Sequence, residues 1–137
     1  MSESKLRENM CQFATSLFER GITHGSTGNI SVRLNDYEIL VTPSGSSFGR
    51  LDPNDIVKIL KSGEFSGALP PTKELPLHQA FYETRGLKSG AVVHLHSTHS
   101  VALSMLPDID EDNVLPSYTP YSIMLLGKVK LLHFLFQ

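Results

Sequence analysis

Residues 91–100 read AVVHLHSTHS, and three of the chain's six histidines, His94, His96 and His99, fall within that segment. On a strand, residues i and i+2 share a face and sit about 6.6 Å apart along it. His94 and His96 therefore point the same way, and Leu95 points into the opposite layer. Two imidazoles on one strand face can reach one metal ion, so the H-x-H pattern supplies half of a zinc site, which needs at least a third protein ligand. A pair of surface or hydrogen-bonded histidines fits the local pattern as well. His99 is expected on the first turn of a following helix, where its heading is not fixed by spacing.

Upstream, PTKELPLH places Glu74 and His78 four residues apart on one face of an expected helix. Glu74 falls in the first turn, where the helix dipole favours a carboxylate whatever its function. His78, on the inner face, is expected as a core histidine with satisfied nitrogens rather than as a ligand. Two polar loops, HGSTGN and TPSGSSFGR, each flank an expected strand. Glycine lets the backbone approach closely, and exposed N–H groups with Ser and Thr hydroxyls form a nest for an anion. Neither loop is a P-loop or a dinucleotide-binding fingerprint, and each alone reads as an ordinary turn. Two of them beside a histidine pair point to a small phosphorylated substrate, metal at one end and nest at the other.

These residues need a frame. Leu6, Met10, Phe13, Leu17 and Phe18 recur at helical spacing, which predicts a helix from about Glu3 to Arg20, stopped by Gly21. NISVRL and YEILVT read as hairpin strands turning at Asn35–Asp36. IVKIL with a turn at Gly63 predicts a further hairpin or edge strand. Thr72 or a neighbour caps a helix from about Lys73 to Arg85. AVVHLH is the most strand-like stretch and is expected to be buried, and STHSVALSML reads as a helix. The fold class is α/β or α+β, with a mainly antiparallel sheet between helices.

At 137 residues the chain suits one compact domain. A net charge of about −2 with scattered Lys and Arg argues against nucleic acid as a partner. No apolar run long enough to span a membrane and no signal-peptide pattern is present. The single cysteine, Cys11, lies among Met10, Phe13 and Ala14, so it is expected in the core, and its isolation suits a reducing, cytoplasmic location.

Taken together, GSTGNISVR, VTPSGSSFGRL, PTKELPLHQAFYE and AVVHLHSTHSVALSML, in that order, resemble the class II aldolase/adducin family from about Leu6 to Val129. Within it they look most like the decarboxylases of 3-oxo-tetronate 4-phosphate. SGSSFGRL, YTPYSIM, and PTKE in place of the paired serines of the sugar-phosphate aldolases carry that likeness. The resemblance implies a three-layer α/β/α sandwich around an antiparallel sheet, commonly assembled as a homotetramer. It implies Zn²⁺ as cofactor, held by His94 and His96. Glu74 would be the catalytic acid/base that also contacts the metal when substrate is absent. Gly28–Asn29 and Ser44–Gly45 would bind phosphate, with Thr72–Lys73 as a third contact segment. The implied reaction converts 3-oxo-tetronate 4-phosphate to dihydroxyacetone phosphate and CO2. The alternatives are a fuculose-phosphate-type aldolase, a truncated non-catalytic remnant, or an interaction domain as the adducin head is.

The chain departs from the family after Val129. KLLHFLFQ does not match, and the resemblance implies a further segment carrying the third metal histidine in an Asn-His-Gly stretch. Residues 1–137 are therefore expected to be one domain of this type, incomplete at the C-terminus. His133 is not in a matching context. The apolar tail residues Leu131, Leu132, Phe134, Leu135 and Phe136 are expected to promote aggregation.

Overall fold

The structure is a computed structural model that describes residues 1–115 and 119–131. It divides into a unit ending at His96 and a second beginning at Ser97.

In the first unit, Ser2 caps helix α1 (Glu3–Glu19) by accepting a hydrogen bond from the Lys5 amide at 3.3 Å. Five strands follow: β1 (Asn29–Arg33), β2 (Ile39–Val41), β3 (Val57–Ile59), β4 (Phe65–Ser66) and β5 (Ala91–His94). They form one antiparallel sheet in the order β4-β3-β2-β1-β5. Helix α2 (Leu75–Arg85) lies between β4 and β5 in the chain. The β1–β2 hairpin turns where expected. Asn35 Oδ1 accepts from the amides of Tyr37 and Glu38 at 2.9 and 3.0 Å, so those two residues belong to the turn and β2 starts only at Ile39.

Strand alternation sorts the side chains into two layers. Ile30, Leu40 and Ile56 pack with Met10, Cys11, Ala14 and Leu17 of α1. Ile39, Val41, Val57 and Ile59 pack on the other face with Tyr82 of α2. Cys11 is thus a core residue, and burial pushes its thiol up to about 11. Each fully buried aliphatic side chain contributes about 1.5–3 kcal/mol, and Leu40 is completely buried. Arg7 clamps α1 to the sheet. It pairs with Glu3 at 2.8 Å and donates to the carbonyls of Pro53 and Ile56. The layering is the helix–sheet–helix sandwich expected.

Two elements differ from expectation. α2 begins at Leu75 with Glu74 as its N-cap, and Pro76 occupies the first turn. Thr72 Oγ1 accepts from the Glu74 amide at 3.3 Å, which folds the chain into a turn just before the helix. β5 ends at His94 and lies at a sheet edge, so it is not a buried strand: Val93 is 42% exposed while Val92 is buried. An edge strand has a partner on one side only, and its pairing with β1 stops at Asn29, the first residue of that strand.

The second unit holds helices α3 (Thr98–Ser104) and α4 (Pro120–Leu126). α3 stops short of Leu106, with Met105 as its C-cap. The Val114 amide donates to the Val129 carbonyl at 2.9 Å, and Lys130 pairs with Asp112 at 2.8 Å. His133 and the apolar residues from Leu132 onward lie outside the described residues. No helix among the described residues is long and apolar enough to cross a membrane.

Candidate active site

The polar loops converge because three separate turns are tied together by backbone. Thr23 Oγ1 accepts from Thr27 Oγ1 or donates to it at 3.1 Å and bonds the Thr27 carbonyl at 2.7 Å, closing the loop ahead of β1. The Ser44 amide donates to the Pro70 carbonyl at 3.0 Å, and the Thr72 amide donates to the Thr42 carbonyl at 3.1 Å. The Ser44–Gly45 turn is thereby held against the Thr72–Lys73 segment. Buried Thr42 accepts from the Ile30 amide at 3.1 Å and locks the same loop to β1.

These turns enclose a cavity of about 200 Å³. Gly28, Asn29, Ser44 and Gly45 line one part of it, and Thr72, Lys73, Glu74 and His96 line another. Hydroxyls, amides and the Lys73 ammonium make that surface suited to an anion. Glu74 brings the carboxylate, and His96 is exposed to the opening.

His94 lies beside His96. Its ring centroid is 4.8 Å from that of His96, with the planes tilted by 49°. The H-x-H rings therefore stay together although His96 lies past the end of β5. Leu95 packs against the α1 layer, as expected for the opposite face. Desolvation lowers the pKa of His94, His96 lowers it further, and Glu74 raises it. The ring is thus held toward its neutral, ligating form.

A divalent ion fits part of this arrangement. The Nδ1 atom of His94 is the one buried side-chain polar atom among the described residues without a hydrogen-bond partner. A buried polar atom left without a partner is costly, and a cation would satisfy it. Among the described residues no group of three His, Cys, Asp or Glu side chains closes around a common point. The two histidines stay adjacent, with Glu74 near enough to act on His94 electrostatically.

Gly28 is required twice. Its φ is +85°, and a Cβ there would lie 3.0 Å from the His94 carbonyl oxygen and 3.3 Å from Leu95. The Gly28–Asn29 turn and the histidine segment are in van der Waals contact, so only glycine lets both occupy their places.

His78 is fully buried. Its Nδ1 is 2.7 Å from Ser31 Oγ and its Nε2 is 2.5 Å from Asn29 Oδ1. It is a core histidine with both nitrogens satisfied, as expected, but its partners are polar groups of β1. Spacing marked His78 as facing inward and could not reveal those partners. His99 lies on α3 in the second unit, where it borders an apolar pocket with Leu103 and Val114.

Comparison with known proteins agrees with this frame. The model of the Class II Aldolase and Adducin N-terminal domain matches residues 8–134. A 3-oxo-tetronate 4-phosphate decarboxylase of Escherichia coli O6:H1 is 45% identical over 129 residues, 94% of this chain and 60% of that protein. L-fuculose phosphate aldolase of Escherichia coli K12 is 33% identical over 106 residues, 77% of this chain and 48% of that protein. Among solved structures, YgbL of Escherichia coli, a candidate aldolase/epimerase/decarboxylase, superposes with a TM-score of 0.87 at 42% identity. That match covers 98% of this chain and 64% of YgbL. The chain therefore spans about 60% of the length of the curated decarboxylase it matches.

Proposed function

The chain belongs to the class II aldolase and adducin family, and on that premise we propose that it serves as a carbon–carbon lyase converting 3-oxo-tetronate 4-phosphate to dihydroxyacetone phosphate and CO2. The observation that carries this reading is the single cavity in which two anion-suited turns meet Glu74 and His96, with His94 alongside. Identity to a named decarboxylase over nearly the whole chain supports the decarboxylase over the aldolase. Thr72–Lys73, where sugar-phosphate aldolases carry paired serines, points the same way.

The substrate is a 3-oxo acid. Breaking its C1–C2 bond releases CO2 and leaves the electron pair on C2, delocalised onto the C3 oxygen. Gly28–Asn29, Ser44–Gly45 and Lys73 grip the phosphate and fix the carbon chain. Glu74 passes a proton to C2, so one proton is consumed for each CO2 released. His94 and His96 would hold a divalent ion, zinc by preference for paired imidazoles, with Glu74 beside them. When bound, such an ion supplies Lewis-acid stabilisation of charge on the C3 and C2 oxygens.

Homotetrameric assembly, a cytoplasmic location and a phosphorylated sugar acid as the small-molecule partner complete the proposal. The test is a paired assay of purified protein with 3-oxo-tetronate 4-phosphate and with L-fuculose 1-phosphate, following CO2 and aldehyde. CO2 release from the first with little cleavage of the second is the expected result. The reverse preference makes it an aldolase, and inactivity on both makes it a non-catalytic member.

A further inference from the structure

The buried polar groups behind the cavity form a directed chain. Asn29 Oδ1 can only accept, so the Nε2 of His78 that faces it at 2.5 Å must carry the proton. In a neutral ring Nδ1 then accepts, and the donor is the Ser31 hydroxyl at 2.7 Å. Ser31 Oγ accepts in turn from the Tyr82 hydroxyl at 2.9 Å. Desolvation, reinforced by His94, pushes His78 down to about 4, and desolvation raises Tyr82, so both are neutral at pH 7. The Arg33 guanidinium over the Tyr82 ring, 4.6 Å from its centroid, holds the far end.

The near end is the cavity. Asn29 lines it, and with Oδ1 turned to His78 its Nδ2 has no hydrogen-bond partner among the described residues. Nδ2 is not among the buried unpartnered atoms, so it is open to the cavity. Rotating the carboxamide by half a turn would present an acceptor to an incoming anion instead of a donor.

We propose that His78 is a positioning residue: its Nε2–H locks the Asn29 carboxamide so that Nδ2 donates into the cavity toward a phosphoryl oxygen. The inference rests on the anion-binding reading of the cavity given above, and extends it to a residue that touches no substrate. Ser31 and Tyr82 are the remote end of the device: their hydroxyls follow the tautomer that Asn29 fixes, Ser31 donating to Nδ1 and Tyr82 donating to Ser31. Their hydroxyls reach Asn29 only through the imidazole.

The test uses ¹⁵N NMR of the intact protein together with titration by inorganic phosphate. The expected spectrum shows His78 neutral with Nε2 protonated, and the Asn29 side-chain amide shifts on adding phosphate. His78→Phe keeps the bulk and removes the lock, and is expected to weaken phosphate binding roughly tenfold. His78→Gln, which again offers one donor and one acceptor, should restore binding to within about threefold of wild type. A purely structural role predicts neither this rescue nor the tautomer. Protonation at Nδ1, or His78→Phe binding phosphate like wild type, overturns the inference and leaves the anion site standing. If wild type binds no phosphate, the anion site itself is refuted, and the donor role of Asn29 goes with it. Should both variants fail to fold, the wild-type tautomer still decides.

Discussion

Asn29 of β1 and His94 of β5 are paired residues in the antiparallel register. That pairing puts a residue of the candidate anion turn and a metal-ligand candidate side by side on one face of the sheet. It makes the geometry of the two halves of the site interdependent, since neither can shift along its strand without the other.

Gly28→Ala is expected to destabilise the fold and to weaken phosphate binding. The positive φ alone costs about 1–2 kcal/mol for a residue with a Cβ, and the contact at 3.0 Å with the His94 carbonyl adds to it. Gly45→Ala is the control, because Gly45 has φ +71° but nothing within 4 Å of an added Cβ. Urea unfolding of both variants checks this: equal losses would mean that the close approach to His94 costs nothing.

His96→Ala is expected to lower zinc affinity by about tenfold or more, since imidazole nitrogens are the ligands that the H-x-H pair offers. His99→Ala should leave it unchanged. Competition titration with a chromophoric chelator separates the two. Equal zinc affinity in wild type and His96→Ala removes the H-x-H pair from the metal site.

Glu74→Gln is expected to cut kcat by about 10²-fold or more, the usual contribution of a general acid or base. Stability should change little, because the Glu74 side chain makes no cap hydrogen bond at the start of α2. Steady-state kinetics with a parallel melt decide it. Activity within a factor of two of wild type would reduce Glu74 to a charge beside the helix.

Acid should destabilise the fold through His78. Its folded-state pKa is lowered to about 4 from an ordinary value of 6.5 by burial first and by His94 second. Between those values the unfolded chain binds the proton and the folded chain does not. Stability contributed by neutral His78 is therefore complete above pH 6.5 and is lost as pH falls toward 4. The loss amounts to roughly 3 kcal/mol over that window. Urea midpoints of wild type and His78→Gln across that range test it. Parallel pH profiles would show that other groups carry the acid sensitivity.

Much of this protein was legible in the residues alone, for reasons of local physics. Alternation in NISVR and ILV specifies which side chains face each layer, because the strand period is two. The spacing of Met10 and Leu17 marks the buried face of α1 in the same way, whereas Phe13 and Phe18 of the same apolar pattern are exposed. H-x-H keeps its two rings adjacent whether or not the second residue stays in the strand. The order of the four motifs sufficed for the family, since each is a short stretch whose chemistry lies in its own residues.

Register and long-range contact were decided only by the tertiary structure. Nothing local to AVVHLH says that its neighbour is β1, that Asn29 meets His94, or that the strand lies at an edge and stops there. The four-residue spacing of Glu74 and His78 suggested a shared face, yet α2 begins after Glu74, so the two serve different surroundings: one borders the cavity and the other is sealed beneath it. His78 shows the limit most plainly. Its hydrogen-bond partners lie 47 and 49 residues away in sequence. A buried imidazole needs partners for both nitrogens, but which groups supply them depends on how helix and sheet pack.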